Sequence, residues 1–134
     1  MDKLQAAQKK AIANRPKVDG FPYLAETLRQ AGVQRNIWSQ PSCQSIYITK
    51  DGPVVMQGTP LVTGFVDIPK FNKEALIKAI SADGAGKSTF PEFLLGAWNA
   101  GVIWYQVDLI ERTVTYGCCN NETYTTKYSA VDIA

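Results

Sequence analysis

The chain has 134 residues, with 14 Lys and Arg against 12 Asp and Glu, three Cys and no His, for a formal net charge of +2. The missing imidazole excludes a Ser-His-Asp or Cys-His nucleophile pair, a His-ligated zinc and a histidine proton shuttle. The near-neutral balance argues against a dedicated nucleic-acid partner, and a chain of this mass buries about two thirds of its unfolded surface, enough for one domain without a disulfide or metal staple.

In chain order, Leu4, Ala7, Ala11 and Ile12 outline a first helix. Phe21, Leu24, Ala25 and Leu28 follow at i, i+3, i+4, i+7, the apolar stripe of a second helix, with Pro22 just inside its start and Gly32 just past its end. Strand-like runs Val33–Trp38, Ser45–Lys50 and Pro53–Gln57 come next, the last two joined by Asp51-Gly52, a strong hairpin signal. Leu61–Val66 is expected to add a connecting strand. A third helix is entered at Asn72 and carries Leu76, Ile77, Ala79 and Ile80. Phe90, Phe93, Leu94 and Ala97 then repeat the helical stripe, behind the capping-box spacing Thr89-x-x-Glu92 and ahead of Gly101. Val102–Leu109, Arg112–Tyr116 and Glu122–Tyr128 close the chain as strands, the first with two unlike faces.

These elements form a duplication. Phe21–Val33 and Phe90–Val102 align at a constant offset of 69, with five of thirteen residues identical. The predicted fold class is α+β: a tandem pseudo-repeat of helix-helix-strand-strand-strand with an antiparallel sheet or sheets and helices packed on one face. A single domain spans 1–134, with pseudo-repeats at about 1–58 and 71–134 and a connecting segment at 59–70. One conflict arises within it. Offset 69 sets Arg35 against Trp104 and Asn36 against Tyr105, which leaves the inward and outward parity of the first half unsettled unless a bulge or different register intervenes. The junction of two similar half-sheets makes a pseudo-symmetric groove, and small-molecule sites favour such places. The competing reading is that the duplication only builds a larger core.

The longest nearly apolar run, Phe93–Trp98, is far short of a membrane span. The charged start Met1-Asp2-Lys3 lacks the apolar stretch of a secretory signal. A cytoplasmic protein with no membrane partner is expected, with Cys43, Cys118 and Cys119 as reduced thiols. Residues 1–35 carry a net +4 and the rest −2, which a basic helix face turned to water explains.

The second half carries a resemblance. Ala100-Gly101-Val102-Ile103-Trp104-Tyr105-Gln106-Val107-Asp108, then Arg112-Thr113-Val114-Thr115-Tyr116, Glu122-Thr123-Tyr124 and Tyr128-Ser129-Ala130-Val131, resemble the bacterial YdfO-like family, whose members are often labelled "phage envelope protein". The resemblance covers residues 90–131 and implies a small α+β domain of bacteria and their prophages, with no established activity. The chain departs from that pattern at Trp104, where a basic residue is common, and at Gln106, where an acidic one is. Gly117 follows a single Tyr116 rather than a Tyr pair, and Ser129 replaces a Pro.

Candidates for chemistry are few. Ser81–Ser88 suggests a phosphate loop, but Ser81 stands where its first Gly belongs and a helix, not a strand, precedes it. Gly84-Ala85-Gly86 reads instead as a helix C-cap and link, and Thr89 replaces the third Gly of a dinucleotide pattern. Cys118-Cys119, in the expected turn Gly117–Asn121, reads as two unreactive exposed thiols, since adjacent Cα atoms about 3.8 Å apart are too close for an unstrained disulfide. Asp108 and Glu111 bracket Arg112, which suggests solvent exposure and a local ion pair. Trp38 and Trp98 read as core. Trp104 shares its strand face with Gln106 and Asp108, so it reads as a stacking or contact anchor.

The functional expectation is a non-enzymatic module that binds a small molecule or a protein through Arg35, Trp104, Gln106 and Asp108, with no catalytic residues, no metal and no cofactor. A His-free enzyme using Asp, Tyr or Lys between the halves, or a phage assembly protein, are the alternatives. Open sheet edges leave room for a homodimer.

Overall fold

The computed structural model describes residues 1–14, 16–17 and 20–132. Arg15 and Asp19, which contribute to the N-terminal charge, lie outside the described residues, as do the last two positions of the second repeat. Helices α1 (Asp2–Asn14) and α2 (Gly20–Gln30) precede β1 (Val33–Ser39), β2 (Gln44–Thr49) and β3 (Gly52–Gln57). Helices α3 (Lys73–Gly84) and α4 (Phe90–Asn99) precede β4 (Val102–Asp108), β5 (Thr113–Cys118), a 3-10 turn (Cys119–Asn121) and β6 (Thr123–Lys127). The strands form one antiparallel sheet in the order β3-β2-β1-β4-β5-β6, so the fold is α+β and the two repeats join edge to edge.

The expected helix signals act as the backbone requires. Asn72 accepts the Ala75 N–H at 3.0 Å, and Thr89 and Glu92 close a reciprocal capping box at the start of α4. Gly32 and Gly101 adopt φ of +98° and +94°, the left-handed turn by which each second helix feeds its first strand. α1 packs on α2 and α3 on α4, while α2 lies against β1 and α4 against β4. Leu76, Ala97, Val33 and Val102 are among the most deeply buried core positions.

The parity conflict dissolves in the register. The pairing of β1 slips between Val33 and Arg35, and that of β4 slips between Val102 and Trp104. Both repeats thus carry the same irregularity at the same place. Across the seam Ile37 pairs with Gln106, its own counterpart at offset 69, and an approximate twofold axis passes between them. Arg35 and Trp104 share the sheet's open face, and Asn36 and Tyr105 share the face toward the helices.

The connecting strand expected at Leu61–Val66 does not form, and residues 58–72 contain no strand. The Gly58 and Leu61 N–H groups bond to the carbonyls of Cys43 and Pro41, which ties the chain to the β1–β2 turn instead of the sheet edge. Beyond that point Phe65, Val66 and Ile68 face solvent. The accessible surface of 8126 Å² exceeds the roughly 7,000 Å² typical of this mass, in keeping with an extended connection and an open cleft.

Glu26 on α2 is buried and receives the Arg29 Nε and Nη2 donors at 2.8 and 2.6 Å and the Gln30 amide at 3.0 Å. The Arg29 hydrogen bond, against the opposing effect of burial, holds its carboxyl below the ordinary 4.5. Folding lowers this pKa, so the unfolded chain takes up the proton first and the contribution, full above about pH 4.5, is lost as pH falls through the folded value. Thermal melts from about pH 6 to about pH 3 should show wild type losing its advantage over Glu26→Gln toward the acid end. A pH-independent gap between the two would contradict this.

Candidate functional site

The two sheet faces differ in what covers them, and cross-strand pairing assigns each residue to one of them. On the open face Arg35 stands opposite Asp108, Ile37 opposite Gln106 and Ser39 opposite Trp104. All four expected site residues therefore lie together on two neighbouring strands. Asp108 is nonetheless occupied: its Oδ1 accepts the N–H groups of Ile110 and Glu111 at 3.0 and 2.9 Å. The local ion pair expected of Asp108, Glu111 and Arg112 does not form, because this carboxylate closes the β4–β5 turn. Arg112 itself takes φ +56° there, as Cys43 takes φ +54° at the matching turn of the first repeat. Among the described residues the ion pair is Arg29–Glu26.

Trp104 lies flat across its partner Gly117, where an added Cβ would come within 1.9 Å of the indole. The two positions are thus cross-strand neighbours, one supplying a ring and the other the space for it. Cys118 belongs to β5 rather than to the turn, is buried, and has its thiol pushed up to about 11 by burial first. The expectation of two exposed turn thiols is corrected accordingly; Cys119 is half-buried, and all three cysteines are free. Gly84 ends α3 and Ala85 is its C-cap, as the reading of Gly84-Ala85-Gly86 as a helix cap and link expects.

The other face carries the larger feature. Between the sheet and the two helix pairs lies a cavity of about 830 Å³ lined by both repeats. Its floor is two cross-strand rows, one of Asn36, Val107 and Val114 and one of Trp38, Tyr105 and Tyr116. Leu24 and Leu28 of α2 and Phe90 and Phe93 of α4 form much of its roof. Trp38 stacks on Tyr105 at 5.6 Å and meets Phe90 edge to face at 5.9 Å, and Tyr105 leans on Tyr116 at 5.8 Å.

The polar groups in this lining fall into two sets. In the first repeat they are paired: Gln8 of α1 donates to the Tyr47 hydroxyl at 2.9 Å, and Asn36 donates to Ser45 Oγ at 2.6 Å and to the Ile46 carbonyl at 3.2 Å. In the second, neither the Tyr105 nor the Tyr116 hydroxyl has a hydrogen-bond partner among the described residues, although Tyr116 is only 6% exposed. Burial pushes both phenols above their ordinary 10, and the Asp83 carboxylate, which also lines the cavity, acts in the same direction. Both hydroxyls therefore keep their protons and can donate.

Sequence reasoning placed the groove between the repeats but not its residues. A signal was present: Tyr47 and Tyr116 are counterparts at offset 69, an aromatic pair conserved between repeats in the same chain. Among the described residues no group of three or more His, Cys, Asp or Glu could hold a metal ion, and no helix is long and apolar enough to cross a membrane.

No family model matches the chain. It is 53% identical over 129 residues, 96% of its own length and 79% of theirs, to uncharacterized protein Rv2012 of Mycobacterium tuberculosis (strain ATCC 25618 / H37Rv) and uncharacterized protein Mb2035 of Mycobacterium bovis.

Proposed function

The chain belongs to the same family as these mycobacterial proteins, and from that premise we propose that it is a non-enzymatic binding module for a largely apolar small molecule. The ligand sits in the cavity between the sheet and the helix pairs. The observation that carries this reading is the cavity itself. Here about 830 Å³ is left open behind aromatic walls, within the roughly 300–1,000 Å³ range of small-molecule sites and with the few polar groups such sites use to orient a ligand. The resemblance to the YdfO-like family adds a bacterial or prophage-associated setting to the proposal.

Titration with the neutral fluorophore N-phenylnaphthylamine tests it. One saturable site is expected, retained in Trp104→Ala on the open face and weakened in Leu24→Trp, whose larger ring narrows the cavity from its roof. Saturating probe should also raise the melting temperature, since it binds the folded state. Absence of binding to wild type would remove the reading, and loss in Trp104→Ala alone would move the site to the Arg35, Gln106 and Asp108 face.

A second reading, a His-free enzyme in the same cleft, is favoured by Asp83 lining the cavity together with Tyr105 and Tyr116, residue types suited to acid–base work. Under that reading a bound compound is recovered chemically changed, and Asp83→Asn leaves its affinity intact while stopping the change.

A further inference from the structure

The duplication provides an internal control for the polar groups of the cavity. Aligning Leu4 with Leu76, both buried, sets α1 on α3 at a spacing of 72, with Ala7 on Ala79 and Gln8 on Ile80. The counterpart of Gln8, which satisfies Tyr47, is thus an isoleucine on the side of Tyr116. The counterpart of Asn36, which satisfies itself on β2, is Tyr105. The second repeat therefore has a tyrosine where the first has a self-satisfied amide, and lacks the glutamine that would satisfy Tyr116. Both hydroxyls belong to residues that line the cavity and neither is sealed from it, the buried polar atom left without a partner among the described residues being Ser88 Oγ; two open donors on neighbouring strands of one cavity wall are the arrangement a ligand would complete.

We infer that Tyr105 and Tyr116 are the polar anchor of the site and donate hydrogen bonds to a carbonyl oxygen on a neutral, otherwise apolar ligand, whose body runs along Trp38 toward α2. This rests on the cavity reading given above. A carbonyl suits two neutral donors that have no protein acceptor. Among the described lining residues the cation, Lys127, is exposed on the edge strand β6, so a carboxylate would meet no buried counter-charge there. The apolar body follows from the rest of the lining, where Phe21, Leu24, Leu28 and Phe93 offer no hydrogen bond.

The experiment compares methyl naphthyl ketone with isopropenylnaphthalene, its hydrocarbon isostere, by calorimetric titration of wild type and of the Tyr105→Phe/Tyr116→Phe double variant. Affinity for the ketone should fall by about tenfold in the double variant, one to two neutral hydrogen bonds, while affinity for the hydrocarbon stays level. The hydrocarbon also reports that the variant is folded and its cavity intact. Tyr47→Phe, which removes a hydroxyl already paired with Gln8, should not change the preference. Equal loss or equal retention of both compounds would overturn the anchor assignment and leave the cavity reading standing. A naphthylethylamine that binds more tightly than the ketone and loses its advantage in Asp83→Asn would overturn it in favour of a cationic ligand. Failure of the hydrocarbon to bind wild type would bring down the cavity reading and the anchor with it.

Discussion

Trp38→Ala should destabilise the fold by about 3–5 kcal/mol, the range for truncating a buried large aromatic, and should abolish N-phenylnaphthylamine binding. The indole is buried on β1 beside the twofold seam and touches both repeats. Its Nε1 donates to Gln40 Oε1 at 2.9 Å, and Gln40 Nε2 in turn donates to the Leu94 carbonyl on α4 at 2.7 Å. Gln40 is fully buried, so removing the indole also leaves a desolvated acceptor with no donor, at a cost of about 1–3 kcal/mol. Trp38→Phe restores most of the apolar area but not the donor, so in urea unfolding the gap between wild type and Trp38→Phe reports mainly the bond to Gln40, and the gap between Trp38→Phe and Trp38→Ala reports the packing. A loss below about 1 kcal/mol in Trp38→Ala would mean that the seam is not held in this way.

The two glycine corners give a second large effect, with its own reference. Gly32 and Gly101 share the same left-handed backbone, which costs an L-residue about 1–2 kcal/mol. Their surroundings differ. A Cβ at position 32 would meet only the Lys50 side chain at 3.1–3.3 Å, which can swing aside, whereas one at 101 would lie 2.8 Å from the Phe71 backbone. That backbone is held in place, because the Asn72 N–H donates to the Ala100 carbonyl at 2.8 Å. Gly101→Ala should therefore be the more damaging change, exceeding Gly32→Ala by more than the roughly 0.5 kcal/mol scatter between independent sites. Equal losses in denaturant melts would show that the Phe71 contact relaxes freely.

Much of this fold can be read from local signals, because they act over a turn or two of chain. The stripes at Phe21–Leu28 and Phe90–Ala97, the caps at Asn72 and Thr89, and the Asp51-Gly52 hairpin depend on neighbours within a few residues. What escapes such reading depends on distant parts of the chain. The apolar letters of Leu61–Val66 suit a strand, yet backbone bonds to Pro41 and Cys43 hold the chain elsewhere. The unlike faces of β4 were legible, and Trp104, Gln106 and Asp108 do share one of them. Period alone, however, does not say whether the helices over Tyr105 close down or stand apart. The cavity is set by the distance between two helix pairs, and no residue encodes that distance. Whether Tyr116 is satisfied likewise depends on Ile80, a residue 36 positions earlier on another element.

The pairing of Ile37 with Gln106 has an evolutionary corollary. Two identical half-length polypeptides meeting across a dyad would form the same seam, but there position 37 would have to face its own twin, and any side chain chosen for one wall would appear on the other. Covalent fusion through residues 59–70 lifts that obligation. An aliphatic side chain can then sit against an amide at the centre, and the two walls are free to diverge, one keeping its hydrogen bonds internal while the other leaves its hydroxyls open. Asymmetry within a symmetric frame is what a single gene can build and a homodimer of halves cannot.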